Sequence, residues 1–286
     1  MKIIAKNDYN EMKKFISMLK KNKRDFEIHQ TSHSTTIEYK GNSMLYVNKI
    51  ASNMTFHAFN MIKADIVKSG IVIDRIPKLE IRYYSINDFL KSQSELPSEC
   101  YLIDINSAYL TCLLTTGIIT KETFERVSKY GKDVRLKSVG MLATNKNILQ
   151  YKEGKLIGHS VKNDPFLRNY FFFCCHRTGD VMNQIADQLG NDFLFYWVDG
   201  IFIRSKSQVK FVQDKLMEYG FHSKVKSIKQ VRFENKDENM YFSYLDELKN
   251  KRIRYIIPYH NEENQRKFND FIKSLSKESL AKFESI

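Results

Sequence analysis

YLIDINSAYL, residues 101–110, is a run of strand-forming residues that reaches an aspartate, Asp104, and then sets Ser107 and Tyr109 at fixed steps behind it. The aliphatic stretch predicts a strand, and AYLTCLLTTG predicts a helix after it. A carboxylate therefore falls where strand passes into helix. Such an Asp can cap the following helix, or it can be presented for chemistry at the end of a sheet, and both readings are open from this stretch alone.

FLFYWVDGIFIRS, residues 193–205, repeats the pattern, with apolar and aromatic residues on both sides of Asp199-Gly200. Asp-Gly is a strong hairpin signal, so an ordinary turn is one reading. Together the two stretches say more. Each embeds one acid among strand-forming apolar residues, where a lone charge is costly unless it is paired or bound to a metal. If the two strands are neighbours, Asp104 and Asp199 face each other, and a hard divalent cation such as Mg²⁺ relieves the repulsion. Two ions about 3.5–4 Å apart, clamped by such acids, are a common engine of in-line phosphoryl transfer.

The rest of the chain sets the context. Lys and Arg total 46 against 33 Asp and Glu, a net charge of +13. That excess points to a polyanionic partner, and nucleic acid fits better than a membrane surface because the lysines are scattered, not gathered on one amphipathic helix. No apolar run has the length of a membrane helix, and MKIIAKNDYNEMKKF lacks the apolar core of a secretory signal. The cysteines at 100, 112, 174 and 175 form no C-x-x-C pair and read as reduced core residues, so a cytoplasmic location is expected.

Helical spacing appears over 9–21, over FHAFNMIKADIVKSG with Gly70 as its C-cap, over 121 to about 142, over about 171–189 and over SQVKFVQDKLMEYG. Strands are expected on either side of Lys40-Gly41-Asn42, over 78–86, across Glu153-Gly154, and in SKVKSIKQVRFEN and ENMYFSYLDEL. The stretch from Asn261 reads as helical. Alternating elements with antiparallel hairpins make α+β the expected class. The expected organisation is an N-terminal α+β region over 1–96, a central domain over 97–245 and a helical C-terminal segment over 246–286.

Asp104-Ile-Asn-Ser107-Ala-Tyr109 resembles motif A of family B DNA polymerases, D-x-x-S-L-Y-P. Tyr196-Trp-Val-Asp199-Gly-Ile-Phe is similar to motif C, Y-x-D-T-D-S-I-F, with Asp199 on the second aspartate. Between them, Lys132-Asp-Val-Arg-Leu-Lys-Ser-Val-Gly140 looks like motif B, K-x-x-x-N-S-x-Y-G, and Met-Leu-Ala-Thr-Asn145 like the short tail that follows it in protein-primed members. After motif C, Lys249–Tyr255 weakly resembles the K-x-Y element. The likeness covers about residues 97–205 well.

What this resemblance implies is a ferredoxin-like palm, an antiparallel sheet backed by helices, with minimal fingers and thumb. Asp104 and Asp199 would hold two Mg²⁺ or Mn²⁺ ions, with the Ile105 carbonyl as a further ligand. Ser107 would lie beside the triphosphate, Tyr109 under the sugar where it excludes a 2′-hydroxyl, and Lys132 against the incoming phosphates. Lys251 and Tyr255 would touch the primer strand. The implied partners are a DNA primer–template, deoxynucleoside triphosphates, and a terminal protein or other replication proteins of a phage, plasmid or mobile element.

The pattern also departs from the family. Trp197 stands for the first aspartate of motif C and Gly200 for its serine; Leu136, Lys137 and Val139 replace N-S and Y of motif B; Leu110 replaces the proline of motif A. The roughly 100 residues before motif A are too few for the usual exonuclease domain, so no proofreading is expected. A palm that binds nucleic acid as a replication accessory, with little or no catalysis, stays open as the alternative.

Three further features are read as structural. Phe171–His176 is expected to be core helix, since Cys-Cys-His in a row cannot converge on one ion. His29 and His33 sit in loop or strand and read as solvated, and KKNKR, residues 20–24, as a solvated helix end.

Overall fold

The computed structural model describes residues 3–6, 8–31, 34–47, 53–74, 82–91, 97–236, 239–246 and 250–258. The elements run β1 (Ile3–Lys6), α1 (Tyr9–Lys21), β2 (Phe26–Gln30), β3 (Ser34–Tyr39), β4 (Asn42–Val47), α2 (Asn53–Ser69), β5 (Tyr84–Ile86), β6 (Glu99–Ile105) and α3 (Ala108–Thr115). They continue with α4 (Lys121–Ser128), α5 (Lys132–Gly140), β7 (Lys146–Lys152), β8 (Lys155–Lys162), α6 (Pro165–Leu189), β9 (Phe193–Trp197) and β10 (Gly200–Ile203). Last come α7 (Val209–Glu218), β11 (Ser223–Lys229), β12 (Arg232–Lys236), β13 (Asn239–Asp246) and β14 (Lys251–Pro258). The class is α+β.

These elements form two compact units that interleave along the chain. One takes the described residues of 1–73 and 118–171, the other those of 74–117 and 172–258. This division differs from the three consecutive segments expected from sequence. Helix periodicity and turn residues mark elements, but they do not show which distant elements pack together.

The first unit is built on a six-stranded sheet of order β1-β4-β3-β2-β7-β8, antiparallel except for the β1–β4 pair. Asp8 opens α1 by accepting the backbone N–H groups of Asn10 and Glu11 at 2.8 and 3.1 Å. Met12, Ile16 and Leu19 then form one buried stripe that packs on Phe26, Ile28, Ile37 and Leu149 of the sheet. The β3–β4 and β7–β8 hairpins close on Lys40-Gly41 and Glu153-Gly154, with positive φ at both turn residues. That is the type I′ geometry which suits a right-twisted hairpin. The helix expected over 121–142 is two helices, α4 and α5, separated at Gly131. Thr120 caps α4 through Thr123 N–H while its own N–H and hydroxyl both donate to Asp65 at 2.8 Å.

The second unit holds an antiparallel five-stranded sheet, β11-β6-β10-β9-β5, and an antiparallel three-stranded sheet, β12-β13-β14. Phe195, Phe202, Cys100 and Ile228 of the larger sheet form one core with Met240, Phe242 and Ile257 of the smaller. The opposite side chains of β6 and β10, Ile103, Ile105, Ile201 and Ile203, are also buried. Helix α6 begins at Pro165, several residues earlier than expected. Asp164 accepts the Leu167 N–H, and proline suits the first helical position. Cys174 and Cys175 are buried in this helix, as a core reading requires. β14 is a correction: Lys251–Pro258 was expected within a helical segment and is a strand paired with β13 along its whole length. Its alternation of aromatic, aliphatic and basic residues has a period of two. The helix expected from Asn261 lies outside the described residues, and among those described no helix is long and apolar enough to cross a membrane.

Candidate active site

β6 lies between β10 and β11, which fixes the surroundings of Asp104 on both sides. It pairs with Gly200 on β10 and with Lys224 on β11. Continuing across the sheet, Gly200 pairs with Trp197 and Trp197 with Tyr84. One cross-strand row therefore reads Lys224, Asp104, Gly200, Trp197, Tyr84. The next row on that face reads Lys226, Leu102, Phe202, Phe195, Ile86. Charge sits at the sheet's end and apolar core behind it.

Asp199 joins this end through the backbone. The Ile105 N–H donates to the Asp199 carbonyl at 2.9 Å, so the tip of the β9–β10 hairpin is tied to the end of β6. The hairpin turns on Val198-Asp199, since Trp197 and Gly200 are already paired. The sequence reading put the turn one residue later. Val198, not a glycine, carries the positive φ, at 55°. A β-branched residue in that region is an outlier costing about 1–2 kcal/mol. Such strain persists where the surroundings enforce it, and it clusters at functional sites. Here the enforcement includes a 2.7 Å bond from Val198 N–H to the Tyr83 carbonyl. Gly200 provides space instead of a turn. A Cβ there would lie 3.0 Å from a Leu102 methyl and 3.7 Å from Asp104 Oδ1.

Asp104 does not cap α3. That position belongs to Ser107, whose φ of 53° is left-handed and whose side chain makes no capping bond. The Asp104 carboxylate instead meets Lys224 Nζ at 3.0 Å, with the lysine 62% exposed. Exposed pairs of this kind contribute about 0–1 kcal/mol. Lys224→Met is therefore expected to change stability by no more than that, a small Tm shift in a thermal melt.

Two tyrosines sense the acids. Burial first, then the neighbouring Cys175 and Tyr83 and the charge of Asp199, push the Tyr109 phenol well above its ordinary value. The Tyr255 phenol is also raised, chiefly by burial; its hydrogen bond with Tyr244 acts the other way, and the charges of Asp104 and Asp199 add to the rise. The Tyr255 ring lies against Trp197 and Phe202, with centroids at 6.2 and 5.7 Å. Trp197, which stands for an aspartate of the family pattern, stacks on Tyr84 at 5.8 Å and walls the site.

Asp104, Ile105, Asp199, Tyr109 and Tyr255 thus gather within one unit, with Ser107 in the turn that follows Ile105. Lys251 is exposed at the other end of β14, paired in register with Asp246. Lys132, the exposed first residue of α5, belongs to the other unit. Sequence reasoning missed Lys224 and Lys226. The second holds the buried Asp246 at 2.9 Å and sits over the Tyr244 ring. The lysine alternation in SKVKSIK was the available signal, because residues two apart on a strand share a face.

Asp104, Asp199 and the Ile105 carbonyl are an all-oxygen donor set, the type hard Mg²⁺ or Mn²⁺ takes. They fit such ions chemically, provided Lys224 yields its place beside Asp104. No family model matches this chain, and no curated protein matches it.

Proposed function

We propose that the protein is a DNA polymerase-like nucleotidyltransferase, adding deoxynucleotides to a primer 3′-hydroxyl in the replication of a phage, plasmid or other mobile element. The observation that carries this reading is the pairing of β6 with β10, which brings two strand-end aspartates, far apart in sequence, to one end of one sheet. Mg²⁺ or Mn²⁺ bound there would activate the primer hydroxyl and neutralise charge on the triphosphate. Asp104 and Asp199 would hold these ions. The partly buried Tyr255 phenol stays neutral while it feels the charges of both carboxylates, and the Tyr109 ring would limit room at the sugar. Tyr109→Ala is expected to admit ribonucleotides at least about 10-fold more readily, read from single-nucleotide incorporation.

The Lys224–Asp104 ion pair favours a second reading. A lysine that keeps Asp104 neutralised suits a nucleic-acid-binding palm without catalysis. The two readings separate on a labelled primer–template incubated with a divalent ion, with and without deoxynucleotides. Lengthening that needs nucleotides supports the transferase. Shortening without them indicates a nuclease, and an unchanged but bound primer indicates the binding palm.

A further inference from the structure

We propose that Glu27, His29 and Glu38 form a binding site for one zinc-type divalent transition ion. The site lies on the six-stranded sheet and stands independently of the polymerase reading. Glu27 and His29 are two apart on β2 and share a face, and Glu38 on β3 is the register partner of Glu27. His29 Nε2 lies 2.9 Å from Glu27 Oε2 and 3.7 Å from Glu38 Oε2. Among the described residues, these three form the one group of His, Cys, Asp and Glu donors that all fall within 4.8 Å of one another. Zinc bonds of about 2.0–2.2 Å in tetrahedral geometry keep donors about 3.3–3.5 Å apart, so the His29–Glu27 pair opens slightly and Glu38 moves in toward His29.

Further observations point to a ligand there. Glu27 and Glu38 face each other directly across the ladder, where like charges destabilise a sheet, and a bound cation removes that cost. The His29 imidazole is 11% exposed, and its Nδ1 is buried with no hydrogen-bond partner. Its polar contacts therefore run through Nε2, toward the two carboxylates. Gln150 Nε2 donates to the far oxygen of Glu27 at 2.9 Å and fixes that carboxylate, as outer-shell partners of metal ligands do. The carboxylates are 39% and 44% exposed, which leaves an entry path and an open position for water or substrate.

Without metal, Glu27 is held below the ordinary carboxylate range, first by the Gln150 bond, then by the His29 bond, with the Lys162 charge behind them. Zinc takes the Nε2 lone pair in the His29–Glu27 contact, and the neutral imidazole then carries its proton on Nδ1. An imidazole with two carboxylates suits zinc or a similar first-row ion better than Mg²⁺ or Ca²⁺, which prefer oxygen-only shells. The reading of His29 as a solvated side chain is corrected on the same grounds. Its partners are a strand neighbour and a residue across the ladder, which helical spacing to His33 does not reveal.

The test is competition of the full-length protein against a chromophoric chelator for Zn²⁺, in wild type, His29→Ala, Glu38→Gln and the double variant Asp104→Asn/Asp199→Asn. The expected result is one tight equivalent in wild type and in the double variant, weakened at least about 10-fold in both His29→Ala and Glu38→Gln. Glu38→Gln keeps the side chain's volume, and thermal melts without metal check that each variant is folded. Cobalt substitution gives a second readout, with ligand-field absorption and no thiolate charge-transfer band. No zinc bound by wild type, or binding in His29→Ala and Glu38→Gln as tight as in wild type, overturns the site.

Discussion

Asp199→Asn and Asp104→Asn are each expected to lower primer extension by at least about 10²–10³-fold while leaving DNA affinity unchanged. The amide keeps the size of the carboxylate and removes its charge, so it acts on cation binding and not on packing. The fold should tolerate both changes. Asp104 gives up an ion pair with the exposed Lys224 worth about 0–1 kcal/mol, and Asp199 is tied to β6 through its backbone carbonyl, which substitution leaves in place. Affinity should hold because phosphate attraction comes from the lysine and arginine excess spread over the chain. Single-turnover extension measured beside a filter-binding curve tests both halves. Loss of both together would point to misfolding. Full extension by either variant would show that its aspartate holds no catalytic ion.

Gly179→Ala should destabilise the protein by about 1–3 kcal/mol, although glycine lies inside a helix where alanine is ordinarily better by about 1 kcal/mol. Gly179 is buried in α6, and a Cβ there would overlap the carbonyl oxygen of Arg82. Because that atom is backbone, relief requires the helix or the 82–86 segment to move. The displaced segment matters to the site. Tyr83 accepts the Val198 N–H through its carbonyl, and Tyr84 stacks on Trp197. In a chain of this size the Tm should fall by about 2–4 °C for each kcal/mol lost, with extension activity falling further than stability alone explains. A Gly179→Ala protein as stable as wild type would contradict the close approach.

The sequence reading succeeded where local pattern decides the outcome. Met12, Ile16 and Leu19 give α1, Lys40-Gly41 and Glu153-Gly154 give hairpins, and the runs ending at Asp104 and Asp199 give β6 and the β9–β10 hairpin. It failed where a residue's meaning depends on a partner distant in sequence. Lys224 is an ordinary strand lysine until register sets it beside Asp104, and Glu38 is an ordinary acid until β3 lays it opposite Glu27. The Val198-Asp199 turn was hidden for a different reason. Asp-Gly carries the stronger turn signal, but β10 already needs Gly200 as a gap above Leu102 and Asp104, and the strain passes to Val198. β14 was lost because the basic run Lys249–Arg254 masks its alternation.

The most direct test of the central claim is single-nucleotide incorporation by the wild-type protein on a labelled primer–template, in Mg²⁺, in Mn²⁺ and with chelator. If Asp104 and Asp199 form a phosphoryl-transfer centre, the primer grows by one deoxynucleotide with either metal and not with chelator, and ribonucleotides are used poorly. A primer that stays bound but unextended under every metal and nucleotide condition would contradict the claim and leave the sheet end as a DNA-binding surface.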